Sequence, residues 1–253
     1  AYSHRSLFDL ASSLCRSEDI IALRDHHRSH ADIIEFSNAE FYEGRLRVAT
    51  KYDRLKRPYT DGPAVRWINV EGTVIRPANG GAVNEREAFA VISEIERLAN
   101  QGYQGSIGVV SPFRAQANRI RDLVHNHRSL TSELSGFDFL ADTVHKFQGD
   151  ERDVMIFSPV VSNGISKGAI GFLRANPNLF NVAITRARAA LIVVGDQSAA
   201  LKCEVDYLSS FADYADRVRS NTHQDDPLEA IDYGPEYPSV GNPEQVSDWE
   251  HLL

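Results

Sequence analysis

The chain has 253 residues, of which 42% are hydrophobic and 25% are charged, as in an ordinary globular protein. This length allows one large domain or one domain with an appendage. No apolar run approaches the roughly 20 residues that span a bilayer, and the first residues lack a signal-peptide pattern. Cys15 and Cys203 stand far apart without a metal-ligand spacing. Two isolated cysteines argue against a disulfide framework and against a zinc site. Because this cysteine content suits a reducing compartment, a cytoplasmic location is expected.

The net charge of −8 is unevenly distributed along the chain. Residues 204–253 contain 12 acidic residues and two arginines, which gives this segment a net charge of −10. The preceding 203 residues contain 23 acidic and 25 basic residues, a net charge of +2. The acidity therefore belongs to the end of the sequence, and the remaining chain can carry a basic groove for nucleic acid.

A histidine-rich stretch, HHRSH, comes before a helix that is predicted to begin near Ala31. It contains His26, His27 and His30 around Arg28. Clustered histidines suggest a metal site, but no carboxylate or cysteine completes a convincing ligand set. A metal-dependent nuclease or phosphatase that uses these histidines stays open as an alternative.

Five apolar runs predict buried strands, at residues 65–70, 107–111, 139–144, 154–159 and 191–194. Two helix patterns alternate with them. The first has Asn84 as its N-cap and Gly102 as its stop, and the second begins at Arg114. This alternation predicts an α/β fold with a three-layer, mostly parallel sheet.

Polar residues follow two of the predicted strands. Ser111, Pro112 and Phe113 lead into the second helix pattern, whose free N–H groups attract phosphate. Thr143 and His145 end the third strand. Loops at the carboxyl ends of parallel strands commonly bind ligands, so we expect a ligand at these positions.

Two residues in the loop after the third predicted strand are further candidates. Gly149 permits close approach of the backbone to a ligand, and we assign it to the same loop. Glu151 can accept a hydrogen bond from a sugar hydroxyl, although a solvated loop carboxylate is the alternative.

The stretch NVAITRARAALIVVGD, residues 181–196, places Arg186 and Arg188 among small apolar residues. A helix over Asn181–Ala190 would hold Arg186 against a close-packed face and point Arg188 away. A guanidinium in such a place costs several kcal/mol unless it is paired. Its partner is either an internal carboxylate or a bound phosphate, which the planar guanidinium contacts with two hydrogen bonds.

After residue 205 the sequence becomes rich in Pro, Gly, Asp and Asn. We predict a domain boundary here. An acidic extension over 206–253 follows, with a helical exit and then an exposed linker over roughly 206–244. The sequence VSDWEHLL then predicts a helix capped by Ser247.

Four stretches together resemble the C-terminal RecA-like half of superfamily 1 helicases, in the branch of the nonsense-decay RNA helicase and its DNA-acting relatives. They are HHRSHA with FYEGRL, PFRAQ, TVHKFQGDERD, and NVAITRARAALIVVG. Their order and spacing match the family over roughly residues 20–200. A single one of these motifs would be weak, whereas four in order are specific.

The resemblance implies a role for each candidate residue. Arg28 and Arg186 correspond to arginine fingers that reach the γ-phosphate of ATP. Glu151 corresponds to the acceptor of a ribose hydroxyl, and Gly149 and Arg188 line the same nucleotide site. The strand-end residues correspond to contacts with the nucleic-acid backbone; they are Ser111, Pro112, Phe113, Thr143 and His145.

Some positions depart from the family pattern. His27 replaces the tyrosine that stacks beside the base, and His145 replaces an aspartate. Asn178 and Leu179 replace an arginine pair. The sequence lacks G-x-x-x-x-G-K-[ST], and no Asp-Glu pair of the magnesium-binding motif ends a predicted strand. ATP and Mg²⁺ are therefore expected to be held mainly by a preceding RecA-like lobe.

The resemblance implies a motor lobe that closes on ATP and moves along single-stranded or duplex nucleic acid, with DNA favoured over RNA. Alone, this chain is expected to be inactive. The stretch VSDWEHLL also resembles the lead-in to a nuclease-like domain, which is expected to follow this lobe. The alternative is a non-catalytic nucleic-acid-binding or protein-binding RecA-like module.

Overall fold

The computed structural model describes residues 11, 13–16, 23–59, 61–78, 80–127, 130, 138–147 and 149–221. Its strands, in chain order, are β1 (Asp25–His26), β2 (Arg47–Val48), β3 (Val65–Asn69), β4 (Val74–Ile75), β5 (Val83–Asn84), β6 (Ile107–Ser111), β7 (Phe139–Thr143), β8 (Arg152–Phe157) and β9 (Ala187–Gly195). Its α-helices are α1 (Ala31–Phe41), α2 (Glu85–Asn100), α3 (Arg114–Asn126), α4 (Lys167–Ala175), α5 (Pro177–Ile184), α6 (Gln197–Lys202) and α7 (Asp206–Asn221). None of these helices is both long and apolar enough to cross a membrane.

The central sheet has five parallel strands in the order β3-β9-β8-β6-β7. All five predicted strands belong to it, which confirms the three-layer α/β fold of the RecA-like type. The starts of two strands differ, since β8 begins at Arg152 and β9 begins at Ala187, both earlier than the apolar runs indicate. The ends of β3, β7 and β8 lie one or two residues before the predicted ends.

Helices cover both faces of the sheet because successive side chains of a strand point to opposite faces. On β9, Leu191 and Val193 belong to the apolar cluster under α1, α5 and α7. Ile192 and Val194 belong to the cluster under α2 and α3. The resulting near-continuous apolar strand is typical of a parallel sheet that is buried on both sides.

Helix α2 has the predicted ends. The side chain of Asn84 accepts a hydrogen bond from the Glu87 amide and so caps the first turn. At the other end, Gly102 has a φ of +69°. The amides of Gly102 and Tyr103 donate to the carbonyls of Ala99 and Leu98, at 2.9 and 3.1 Å. This pair of bonds is a Schellman motif, which requires a residue that tolerates positive φ.

Helix α7 continues the packed core beyond residue 205, where a domain boundary is predicted. Its Leu208, Phe211 and Ala212 are buried in the same apolar cluster as α1 and β9. Helix α7 therefore coincides with the predicted helical exit, and the core extends into it. Residues 222–253, with the predicted helix after Ser247, lie outside the described residues.

The predicted helix over Asn181–Ala190 is wrong. Helix α5 ends at Ile184, and the hydroxyl of Thr185 donates to the carbonyl of Asn181 at 2.8 Å. Arg186 lies in the following turn, and β9 begins at the next residue. Strand pairing explains the difference, since the Arg152 amide donates to the Arg186 carbonyl at 3.0 Å. Pairing with β8 overrides the local preference of alanine and arginine for helix.

Candidate functional site

The two ends of the parallel sheet carry different sets of polar groups. The amino end, where the strands begin, includes Arg152 of β8 and Ala187 of β9. The carboxyl end, where they finish, includes Ser111 of β6 and Thr143 of β7, which are paired in register. The candidate residues divide between these two ends.

Arg28, Glu151, Arg186 and Arg188 converge at the amino end. The segment before α1 is attached to β9 because the His30 amide donates to the Arg188 carbonyl at 2.8 Å. Glu151 immediately precedes β8, which pairs with the start of β9. Residues that are about 160 positions apart in the sequence therefore share one surface.

Glu151 bridges two of these arginines. Its Oε2 lies 2.5 Å from Nε of Arg28, and its Oε1 lies 3.6 Å from Nε of Arg188. Arg188 also reaches Asp153, with 3.6 Å between Nη1 and Oδ1. The Arg28, Arg188 and Glu151 side chains are between 36% and 39% exposed, so water and ligands can reach them. At this exposure an ion pair contributes little stability and can be exchanged for another anion.

Arg186 has a different environment. Its Nε donates to the Val182 carbonyl at 3.3 Å, and no described carboxylate lies within ion-pair distance of its guanidinium. Burial is the first cause that lowers its pKa, and the charge of nearby Arg28 is the second. Two neighbouring guanidinium groups thus share one nearby carboxylate, that of Glu151, and leave an excess of positive charge.

The loop that carries Arg28 is fixed by short hydrogen bonds. The Ser29 amide donates to Nε2 of His26 at 2.9 Å, and the Thr50 hydroxyl donates to the Ser29 carbonyl at 2.7 Å. Burial, followed by the charge of Arg28, lowers the pKa of His26 to about 4. His26 is therefore neutral near pH 7 and able to accept. His27 is exposed, with Nδ1 3.2 Å from the Ala49 carbonyl.

This supporting role of His26 and Thr50 is absent from the sequence-based assignment, which considers the histidines as metal ligands. Among the described residues, no group of His, Cys, Asp and Glu is arranged to hold a metal ion. Cys15 and Cys203 are both free thiols.

The segment between β7 and β8 connects the two ends of the sheet. After Thr143 it forms a short 3₁₀ helix, Val144–Phe147, and it reaches Glu151 beside the start of β8. The sequence predicts that Gly149 and Glu151 belong to a loop at the carboxyl end of the sheet. The structure instead places Glu151 at the amino end, and Gly149 lies on the segment that leads to it. Gly149 has a φ of +85° and no atom within 4 Å of an added Cβ, so backbone conformation explains this glycine.

At the carboxyl end, the predicted contact residues are partly covered. The side chains of Ser111 and Phe113 are buried, and the Ser111 hydroxyl accepts from the Phe113 amide at 3.2 Å. Pro112 and Thr143 are half-buried. The side chain of His145 lies outside the described part of the structure.

A buried polar network also lies at the carboxyl end and has no counterpart in the sequence-based assignment. The carboxyl group of Glu87 accepts from the Ser158 hydroxyl, the Val160 amide and the Asn84 side chain, at 2.7, 2.8 and 3.2 Å. Gln116 links Asn84 to Ser158 through its side-chain amide. Burial raises the pKa of Glu87 to about 8, so this group is mainly protonated at pH 7.

Comparison with known proteins identifies the family. The model of the family described as AAA domain matches residues 3–198. The chain belongs to this family. DNA polymerase alpha-associated DNA helicase A of Saccharomyces cerevisiae is 32% identical over 232 residues, which cover 83% of this chain and 33% of the relative.

Two further relatives are named for helicase or nonsense-decay functions. Regulator of nonsense transcripts 1 homolog of Neurospora crassa is 31% identical over 193 residues, 73% of this chain and 17% of the relative. Helicase sen1 of Schizosaccharomyces pombe is 31% identical over 190 residues, 71% of this chain and 11% of the relative. This AAA domain thus belongs to the family of C-terminal RecA-like domains of superfamily 1 helicases, in the nonsense-decay branch. It spans a third or less of the length of these relatives.

Proposed function

We propose that this AAA domain is the second motor lobe of an ATP-dependent nucleic-acid helicase or translocase. The observation that carries the proposal is the Arg186 guanidinium, which is half-buried beside Arg28 and has no carboxylate partner among the described residues. An excess of cationic groups at one surface is suited to an anion that arrives from outside the chain. A triphosphate held by another lobe is such an anion.

In this proposal Arg28 and Arg186 act as arginine fingers. They stabilise the negative charge that develops on the γ-phosphoryl oxygens during transfer to water. Arg28 exchanges its ion pair with Glu151 for the phosphate, and Glu151 becomes free to accept from a ribose hydroxyl. Arg188 holds the other carboxylate oxygen, and exposed His27 lies where it can stack on the base.

The residues at the amino end fit the phosphate part of ATP better than its metal ion. They supply guanidinium groups, and Glu151 is already engaged by two arginines. Mg²⁺ prefers carboxylate oxygens together with phosphates and water. We therefore assign the Mg²⁺ ligands and the phosphate-binding loop to a first RecA-like lobe, which is the expected partner of this chain.

Nucleic acid is assigned to the carboxyl end of the sheet, near Pro112 and Thr143. Backbone contacts there would make binding independent of sequence and sensitive to salt. The relative that matches 83% of this chain is named as a DNA helicase, which supports DNA as the substrate. Other relatives are named for nonsense transcripts, so RNA is the comparison in the experiment.

The test is ATP turnover by the complete gene product, measured with and without single-stranded DNA or RNA of equal length. We expect stimulation by nucleic acid, greater with DNA, and no turnover by residues 1–253 alone. Turnover by this chain alone that is abolished by Arg28→Ala would contradict the two-lobe proposal. Binding of nucleic acid without any ATP turnover by the complete protein would favour a non-catalytic binding module.

A further inference from the structure

The carboxyl end of the sheet presents an exposed aromatic ring that the proposed function leaves unexplained. Phe172 on α4 is 40% exposed. Its ring packs on Phe113, with 5.8 Å between the ring centres and 46° between the planes. Phe113 is 6% exposed, so Phe172 is the ring of this pair that a ligand can reach.

Helix α4 has two glycines, and therefore no side chains, at exposed positions near this ring. Gly168 and Gly171 are both exposed on α4, a helix of nine residues. Each glycine within a helix costs roughly 1 kcal/mol relative to alanine. Neither has a positive φ, and an added Cβ at Gly171 would meet no atom within 4 Å. Packing therefore does not require these glycines, and without side chains they leave the backbone of α4 exposed next to Phe172.

Three exposed cationic residues lie on the chain segments that pack next to this ring. Arg114 directly follows Phe113, and Lys167 is the first residue of α4. Lys146 lies two residues after Val144, which lines one small cavity together with Phe172. None of the three cations has an ion-pair partner among the described residues, whereas Arg119 and Arg121 of α3 both do.

We propose that Phe172 is a stacking platform for a base of single-stranded nucleic acid, with Arg114 and Lys146 contacting the adjacent phosphates. This inference rests on the proposed function and names a residue that the sequence motifs do not assign. An aromatic ring within a cationic surface is the combination that binds single strands without sequence preference. A protein partner would use the ring as an apolar contact instead, and the experiment separates these ligands.

The experiment measures binding of the complete gene product to a labelled ten-nucleotide oligo-dT and to an abasic strand of equal length. Phe172→Leu keeps an apolar contact with Phe113 but removes the aromatic face. We expect it to weaken binding of oligo-dT about 10-fold, the scale of one lost stacking interaction, and to leave binding of the abasic strand unchanged.

Phe89→Leu is the matched control, because Phe89 is also an exposed phenylalanine, 54% accessible, and also has an arginine near its ring. We expect this variant to bind both strands like the wild type. In Phe172→Trp, binding should be retained, and the new indole emission should be quenched by oligo-dT but not by the abasic strand.

Unchanged oligo-dT binding by Phe172→Leu would overturn the inference, as would an equal loss on both strands. If Phe172→Leu unfolds at a lower temperature than the wild type, quenching in Phe172→Trp decides, and its absence overturns the inference. A wild-type protein that binds neither strand would instead contradict the proposed function. Failure of the inference alone would look different, because the wild type and Phe172→Leu would then both bind oligo-dT equally well.

Discussion

The amino and carboxyl ends of the same sheet are stabilised in different ways. At the amino end, Glu151 holds Arg28 and Arg188 through ion pairs that are partly exposed. At the carboxyl end, Glu87 is fully buried, mainly uncharged, and held by three hydrogen bonds from protein groups. The first arrangement can exchange partners with a ligand at small cost, whereas disrupting the second leaves buried polar atoms unsatisfied.

This difference suits the two tasks that we assign to the ends. A nucleotide site must gain and release charge in every cycle, and exposed ion pairs allow it. A surface that carries a polymer benefits from a rigid support, and the hydrogen bonds of Glu87 fix the chain after β8 in place. They hold the Val160 amide although Val160 has a φ of +60°, which a β-branched residue rarely adopts.

The largest expected effect is at the amino end. We expect Arg186→Ala in the complete gene product to lower ATP turnover by about 10³-fold or more, because an arginine finger would be lost. Steady-state turnover at saturating nucleic acid measures the change. Arg217→Ala is the control, since Arg217 forms an exposed pair with Asp213 on α7. Wild-type turnover in Arg186→Ala would contradict the assignment.

A smaller effect is expected at Glu151. If its carboxylate accepts from the ribose, the wild type should prefer ATP over 2′,3′-dideoxy-ATP in kcat/KM by roughly 10-fold, the scale of a hydrogen bond to a charged group. Glu151→Gln should lose most of that preference. Asp150→Asn is the control, because Asp150 is adjacent and pairs with Arg152 at 2.6 Å. An undiminished preference in Glu151→Gln would exclude the ribose contact.

The smallest effect concerns stability at the carboxyl end. Because the pKa of Glu87 is raised from 4.5 to about 8 in the folded protein, the folded state binds more protons than the unfolded state between these two pH values. Its contribution to stability is present at low pH and is lost as the pH rises towards 8. Relative to the wild type, Glu87→Gln should gain up to roughly 1.4 kcal/mol of unfolding free energy per pH unit in this window.

Denaturant titrations of both proteins at pH 5, 7 and 9 would measure this difference. The control variant is Ser162→Ala, which removes a buried hydrogen bond outside the Glu87 network, since the Ser162 hydroxyl donates to Asp196 at 2.7 Å. A difference between wild type and Glu87→Gln that is constant across these pH values would show that Glu87 does not titrate as described.

Part of this structure follows from the sequence. The apolar runs predict all five strands of the sheet, and Asn84 and Gly102 predict the ends of α2, because these signals are local. The helix predicted over Asn181–Ala190 fails because pairing with β8 decides the conformation of Arg186 and Ala187. Local preference cannot report such a long-range contact.

The candidate functional site is also only partly predictable from local sequence signals. Motif resemblance selects Arg28, Glu151 and Arg186, and the structure brings them to one surface. The motifs do not indicate that Phe113 is buried under Phe172, or that Ser158 and Glu87 form one network. Those relations depend on packing between elements that are far apart in the sequence.

The connection between β7 and β8 has a mechanical consequence. Between Thr143 and Arg152 the chain skips one strand and runs back along roughly six residues of strand length, a diagonal of about 22 Å. Within this segment Val144–Phe147 form a 3₁₀ helix, and the Asp150 amide donates to the Phe147 carbonyl at 3.1 Å. Thr143 at one rim of the sheet and Glu151 at the other are therefore joined by a single short stretch of chain, so a residue proposed to contact nucleic acid and one proposed to contact the nucleotide share one covalent connection.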